Sequence, residues 1–407
     1  MIGTLTSNVR DQQPFVDIFS TPELESPWKQ QYQSAQELFN RKEFREALQA
    51  IDQSIAIDSL PASQYFLEGK IFEALGQTRQ AYQAYYKAKD YDGLRFRASE
   101  DLNRRIERMT EQDGVTTVPV KETFEAHSAN GIPGSSLILE HLHPNLDGYK
   151  LMAKTFADAI VEKNYLGTAT HKNLPDSLWE NQIAITEIDR EVASLRIRFL
   201  KSGWPFTDHA PPAMEEFDTN LNDILNSYAQ QFWKNEITWE KMHVQAGQYY
   251  VRQKDWQKAE LEYRALVQAT PMNYAPYEFL SRLLIQQNKI DEAKELLLEL
   301  IEINPTPHAY KVVGSIYLKR KKVAQAVSYL EKAVRWTPDD YQAQYHLAQG
   351  YTLLGRYEEA WRAIQVVLQL NEDYQKAREL ASFIKTAREK ESLPGDQPPG
   401  SVLDPGQ

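Results

Sequence analysis

Glu140 and His143 stand three residues apart in Glu140-His141-Leu142-His143-Pro144, a spacing that one turn can bring to a single side of the chain. A carboxylate beside an imidazole is acid/base chemistry. The acid fixes the tautomer and orientation of the ring and stabilises the imidazolium that forms when the ring takes a proton. His143 is therefore a candidate general base and Glu140 the residue that orients it. Two other readings stay open: these are polar loop residues without chemistry, or, with His141, they are metal ligands. Neighbours in a short turn converge poorly on one ion and no fourth ligand is evident, so neither a metal nor another cofactor is expected. The other histidines, His127, His171, His209, His243, His308 and His346, are scattered and read as surface or packing residues.

The elements that must carry these residues come in repeats. Ala259, Ala293, Ala326 and Ala360 recur at 34, 33 and 34 residues. Twelve residues before each stands a small residue: Gly247, Ser281, Gly314 and Ala348. Three residues after those come Tyr250, Leu284, Tyr317 and Tyr351, while Pro271, Pro305 and Pro338 follow the first three alanines by twelve, with Glu372 in the fourth place. Small residues are needed where the helices of a hairpin touch, the large residue fills the gap between hairpins, and proline ends a helix. This pattern resembles the tetratricopeptide repeat over about residues 238–372, with 374–386 as a capping helix. Ala47 and Ala81, preceded by Ala35 and Gly69, repeat the register upstream. They predict two hairpins over about 30–90, too few to stand alone and so in need of a surface to pack on.

Around this inserted pair lie short α/β signals. Met1 to Asn8 reads as a strand entering a loop, Val115 to Val120 as a second β-branched strand, Asn130-Gly131-Ile132-Pro133-Gly134 as a turn, and about 150–163 as a helix. Strand, loop with acid-x-x-His, then helix resembles the closing unit of the SGNH (GDSL-type) hydrolase family, and Thr4 to Asp11 resembles its fourth strand and exit. With Asp92 to Ala98 and Trp204 to Thr207, the layout is similar to large bacterial proteins in which an SGNH domain carries an inserted repeat pair and a C-terminal repeat array. The resemblance implies His143 as the base that takes a serine proton, with Glu140 where the family usually has Asp. It also implies a Gly-Asp-Ser nucleophile block and oxyanion-hole blocks ahead of the fourth strand. This sequence opens at that strand, and Ser7, Asn8, Ser135 and Ser136 are not placed to substitute. The expected module is thus an incomplete esterase, inactive alone. The alternative is an ester hydrolase or acyl-transfer enzyme, acting on acylated carbohydrate or a similar ester and completed by an upstream or separate N-terminal half.

Repeat hairpins bind through the face of their first helices. The register puts Lys241, Val244, Gln248, Arg252, Glu278, Arg282, Ile285, Lys311, Ser315, Lys319, Tyr345 and Gln349 on that face. Five are basic and one acidic, against a chain net charge of -11. An acidic or C-terminal peptide is one expected ligand, and a solvated groove without a dedicated partner is the other reading. The net charge argues against nucleic acid, no stretch reaches the roughly 20 apolar residues of a membrane-spanning helix, and no export signal is recognised, so a soluble, by default cytoplasmic chain is expected. With no cysteine there is no thiol or disulfide chemistry. The expected fold is mainly α: a tetratricopeptide helical-hairpin solenoid plus a partial α/β SGNH-like module. Its organisation is a module at 1–165 with the inserted pair, a helical connector at 166–236, an array at 237–388 and a disordered tail at 389–407.

Overall fold

One backbone position marks every hairpin. Lys42, Gly76, Lys254, Asn288, Lys321 and Gly355 are left-handed, with φ between 58 and 74°, and each stands five residues before a registered alanine. The amide of the next residue then returns to a carbonyl in the last helical turn: Glu43 to Leu38, Gln77 to Phe72, Asp255 to Tyr250, Lys289 to Leu284, Lys322 to Tyr317 and Arg356 to Tyr351. This closure satisfies orphan carbonyls at the helix end, which offsets the cost of a left-handed lysine or asparagine.

The computed structural model describes residues 1–111, 114–167, 183–213 and 216–391. The chain divides into two units, Met1–Leu174 with Ala193–Phe217, and Pro175–Val192 with Asp218–Gln407. The stretch expected as a connector, 166–236, is shared between them. His171 and nearly all of the expected tail, 392–407, lie outside the described residues.

The first unit begins with β1 (Ile2–Gly3) and the hairpins α1 (Glu25–Asn40), α2 (Phe44–Ile57), α3 (Ala62–Ala74) and α4 (Thr78–Tyr91). It continues with α5 (Glu100–Arg108), β2 (Thr117–Val118), α6 (Val120–Ala126) and α7 (Leu146–Glu162). β1 and β2 pair in parallel, Ile2 with Thr117 and Gly3 with Val118. The second strand is shorter than the run 115–120, and at its C-terminal end it stops at Val118 because Pro119 has no amide to donate and α6 starts at Val120. α7 starts earlier than expected because Asn145 caps it, its side chain accepting from the Gly148 amide.

The inserted hairpins find the surface they need. Val9 and Ile132 of the α/β segments are buried in one cluster with Tyr65, Phe66, Ala81, Tyr85, Tyr86 and Ala88 of α3 and α4. Beside it, buried Lys121 of α6 lies 3.0 Å from Glu125 and 3.3 Å from Glu100. Tyr82 and Tyr86 of α4 donate to the same Glu125 carboxylate at 2.8 and 2.6 Å.

In the second unit, α8 (Glu187–Lys201), which ends in the first unit, and α9 (Asp223–Trp233) precede four hairpins. These are α10 (Trp239–Gln253) with α11 (Trp256–Ala269), α12 (Tyr274–Gln286) with α13 (Ile290–Ile303), α14 (Pro307–Lys319) with α15 (Val323–Trp336), and α16 (Tyr341–Leu353) with α17 (Tyr357–Leu370). The closing helix is α18 (Gln375–Glu391). The small residues do what their spacing requires. A methyl group on Gly247 would lie 2.5 Å from the Tyr263 ring, and one on Gly314 would lie 2.7 Å from Leu330 Cγ. Gly314→Leu should therefore overpack the α14/α15 crossing and cost about 1–3 kcal/mol. Ser328→Leu, on an exposed face of α15, should leave the melting temperature unchanged; equal melting of Gly314→Leu and the parent would refute the register.

One polar device in this unit has no periodic signature. His243 is fully buried in α10, its Nδ1 2.5 Å from Glu262 of α11 and its Nε2 3.1 Å from Asp189 at the start of α8. Asp189 also accepts from Trp239 Nε1 at 2.9 Å and from the Thr186 amide and hydroxyl. Burial pushes the imidazole toward neutrality, but hydrogen bonds to Asp189 and Glu262 outweigh it and raise its pKa from 6.5 to about 9. A raised pKa gives stability that is fully present below 6.5 and lost as pH rises through about 9. His243→Gln keeps the ring's volume without its charge, so its stability deficit in denaturant titrations should be largest below pH 6.5 and shrink by pH 10. A deficit constant across that range would mean that the imidazole is not the bridging cation. His243→Ala should cost about 3–5 kcal/mol, since it leaves buried carboxylates uncompensated.

Candidate functional site

The Glu140–His143 segment is a tight loop closed by its neighbours. Ile138 and Pro144 form an antiparallel bridge, and the Leu139 amide donates to the His143 carbonyl at 2.8 Å. The first turn of α7 presses against the base of the loop. A Cβ at Gly148 would lie 2.2 Å from the Leu137 carbonyl oxygen, so only glycine fits there.

Inside this loop Glu140 is 1 % exposed, and its carboxylate is fully buried. It accepts from the amides of His141, Leu142 (2.7 Å) and His143 (3.1 Å), and it meets His143 Nδ1. His141 Nδ1 comes within 2.6 Å of the other carboxylate oxygen, out of line for a hydrogen bond. Burial alone would raise the pKa of Glu140. The contacts with His141, the Leu142 amide and His143 prevail and hold it at about 2. The His143 side chain is 60 % exposed, and its Nε2 has no hydrogen-bond partner among the described residues. This is an imidazole held at one nitrogen and open at the other, the geometry of a base awaiting a proton donor.

Segments distant in sequence converge on the same loop. The Asn8 amide donates to the His141 carbonyl at 3.1 Å. The His141 ring lies 5.3–5.6 Å from the rings of Phe15, Phe96 and Phe206. Buried Arg97 donates to the carbonyls of Asn8 and Gln12 and pairs with Asp92 at 3.0 Å. The stretches around residues 92–98 and 204–207 singled out in the sequence are thus brought to His141. Ser135 is bonded to Asn8 Nδ2 at 3.4 Å, and neither it nor Ser7 is hydrogen-bonded to His143.

The other candidate is the face of α10, α12, α14 and α16. Of the basic residues expected there, Lys311 pairs with Asp340 at 2.7 Å and Arg282 with Glu278 at 3.4 Å. Lys241, Arg252 and Lys319 make no ion pair with any described residue. Ser315, Lys319, Tyr345 and Gln349 line one cleft of about 610 Å³. The other wall, Tyr374 and the α18 residues Lys376, Leu380 and Phe383, is not among the residues the repeat register predicts, because that register gives 374–386 only the role of a cap. Leu380 and Phe383, four and seven residues after Lys376, could have shown that this helix presents a second face. Along the same helices, burial and then the positive charges of Arg282 and Lys311 lower His308 to about 4. Burial likewise lowers His346, so both rings are neutral at pH 7.

Glu140 provides a test of the loop. Its depressed pKa means stability present above about 4.5 and lost as pH falls through about 2. Glu140→Gln should cost about 1–3 kcal/mol at pH 7, a deficit that denaturant titrations should show vanishing toward pH 2. A deficit independent of pH would mean that the ionised carboxylate does not hold the loop.

Comparison with known proteins bears on the second face. Residues 250–316 and 317–382 match the tetratricopeptide repeat family profile. Over 119 residues the chain is 27 % identical to the TPR repeat-containing protein YpiA of Bacillus subtilis (strain 168), covering 28 % of each protein. The chain therefore spans about 28 % of the length of this relative. Similar solved structures include MamA, at 17 % identity and a TM-score of 0.34 over 37 % of this chain and 82 % of that one. Another is YrrB, titled a TPR protein with an unusual peptide-binding site, at 14 % identity and a TM-score of 0.36 over 41 % and 87 %. The hairpins from residue 250 to 382 are tetratricopeptide repeats.

Proposed function

We propose that this protein works by protein–protein interaction, its C-terminal array holding a peptide or protein segment against the face formed by α10, α12, α14 and α16. The observation that carries this reading is the cleft lined by Ser315, Lys319, Tyr345 and Gln349, built on repeats of a family-matched array. Repeat arrays keep such a face prebuilt, because each hairpin is fixed by its neighbours and little ordering cost falls on binding. Photo-crosslinking tests it. A benzophenone amino acid at Gln349 or Gln248 should trap partner polypeptide, whereas one at Ser328 on the outer face should not; equal trapping at both faces would remove the groove from the function.

A second reading is favoured by the His143 geometry. In it, the first unit is part of an SGNH-type ester hydrolase or acyl-transfer module, with His143 as general base and Glu140 as its orienting acid. Support comes from the buried Glu140 carboxylate on His143 Nδ1 and the open Nε2. A base without a nucleophile and oxyanion donors keeps little catalytic power. The chain alone should therefore hydrolyse short nitrophenyl esters no faster than its His143→Ala variant. Labelling by a fluorophosphonate, lost in His143→Ala, would instead place a working serine within this chain and make hydrolysis the primary function.

A further inference from the structure

The wall of the cleft that α18 supplies specifies a ligand more closely than the repeat register does. The cleft is lined by two lysines, Lys319 and Lys376, and by no carboxylate. Neither lysine makes an ion pair with a described residue. The chain as a whole carries 57 acidic residues against 46 basic ones, so an acid-free lining with two unpaired ammonium groups runs against its composition. Lys376 is moreover the second residue of α18, where the positive end of the helix dipole disfavours a cation. Both the side chain and the helix end there attract an anion. Next to this charge the cleft exposes large apolar side chains, Leu353 at 64 % and Phe383 at 57 %, with Leu318 and Leu380 deeper. A free anion such as phosphate would use the lysines and leave this apolar surface wet; an apolar ligand would leave the lysines unmatched. A side chain of each kind in adjacent positions uses both.

We propose that the cleft between α14, α16 and α18 takes a peptide segment of a partner protein that carries carboxylates beside a large apolar side chain, the carboxylates meeting Lys319 and Lys376 and the apolar group resting on Leu353, Leu380 and Phe383. This rests on the groove reading and places its anchor in the last repeat and the closing helix, away from Lys241 and Arg252. The cleft's volume of about 610 Å³ suits a few residues, not a whole helix.

The test is fluorescence anisotropy on the full chain with two fluorescein-labelled peptides. One carries Asp-Glu-Leu-Phe-Asp-Glu between Gly-Ser flanks, and the other has Lys at every acidic position. The acidic probe should bind, weakening as salt rises, and the basic probe should not. The double variant K319E/K376E, both side chains being exposed, should keep the parent's melting temperature and weaken the acidic probe about ten-fold or more. F383A should weaken it independently of salt. Acidic binding no tighter than basic, no binding of either, or a well-folded K319E/K376E that binds as the parent does would each overturn the proposal. If K241E/R252E rather than K319E/K376E releases the probe, the groove function stands and this anchor falls. Residues 402–404, Val-Leu-Asp, have the same chemistry. Tighter probe binding by L403S/D404K would therefore assign the cleft to this chain's own segment and overturn a partner as its occupant.

Discussion

Two helices cross closely only where one of them has almost no side chain at the crossing, and this constraint organises most of the described structure. At Gly69, Gly247 and Gly314 a single added carbon would lie within 2.8 Å of Tyr85, Tyr263 or Leu330. Ala35, Ser281 and Ala348, at the equivalent positions, are fully buried. The crossing presses one helix of each hairpin against the next, and the left-handed residue five places before each registered alanine makes the reversal that brings them together. Close crossings thus fix the hairpins, the hairpins fix the face of first helices, and that face carries the cleft.

Polar networks hold what the register does not reach. His243 joins Asp189 at the start of α8 to Glu262 in α11, so the start of α8 is tied to the first hairpin by a buried cation between two acids. In the first unit Lys121, Glu125, Glu100, Tyr82 and Tyr86 tie the inserted hairpins to α5 and α6. A buried network of this kind contributes specificity of placement more than raw stability, because each charge must first be removed from water. The Glu140 loop follows the same logic on a smaller scale. One carboxylate satisfies three amides and an imidazole, and that density of donors keeps it ionised without exposure to water.

The repeats were legible in the sequence because their physics is local and recurs. A small residue, a large residue and a turn return at 33 or 34 residues, and each copy reports the same contact. The acid-x-x-His loop was legible for the same reason, all of its parts lying within five residues. The His243 bridge was not, because its partners lie 19 and 54 positions away and no spacing rule joins them. The α18 wall of the cleft was missed for a different reason. A closing helix is expected to bury one face and solvate the other, so Lys376 and Phe383 fit its solvated side, and only their spacing with Leu380 marks a second face. The run 115–120 reaches past the strand's end at Val118 because β-branched residues signal a strand without reporting that Pro119 ends its pairing.

If interlocked crossings carry the stability, the array should be the most protected part of the chain. The two-stranded sheet has few backbone partners and unpaired edges, and it should open first. Native-state hydrogen exchange on the full chain compares them directly. The amides of Leu284, Leu297, Val313 and Leu330, in four successive helices, should exchange only through a shared, high-energy opening, while those of Ile2 and Thr4 exchange at far lower cost. Exchange at Val313 as fast as at Thr4, or each hairpin opening independently of its neighbours, would contradict the account.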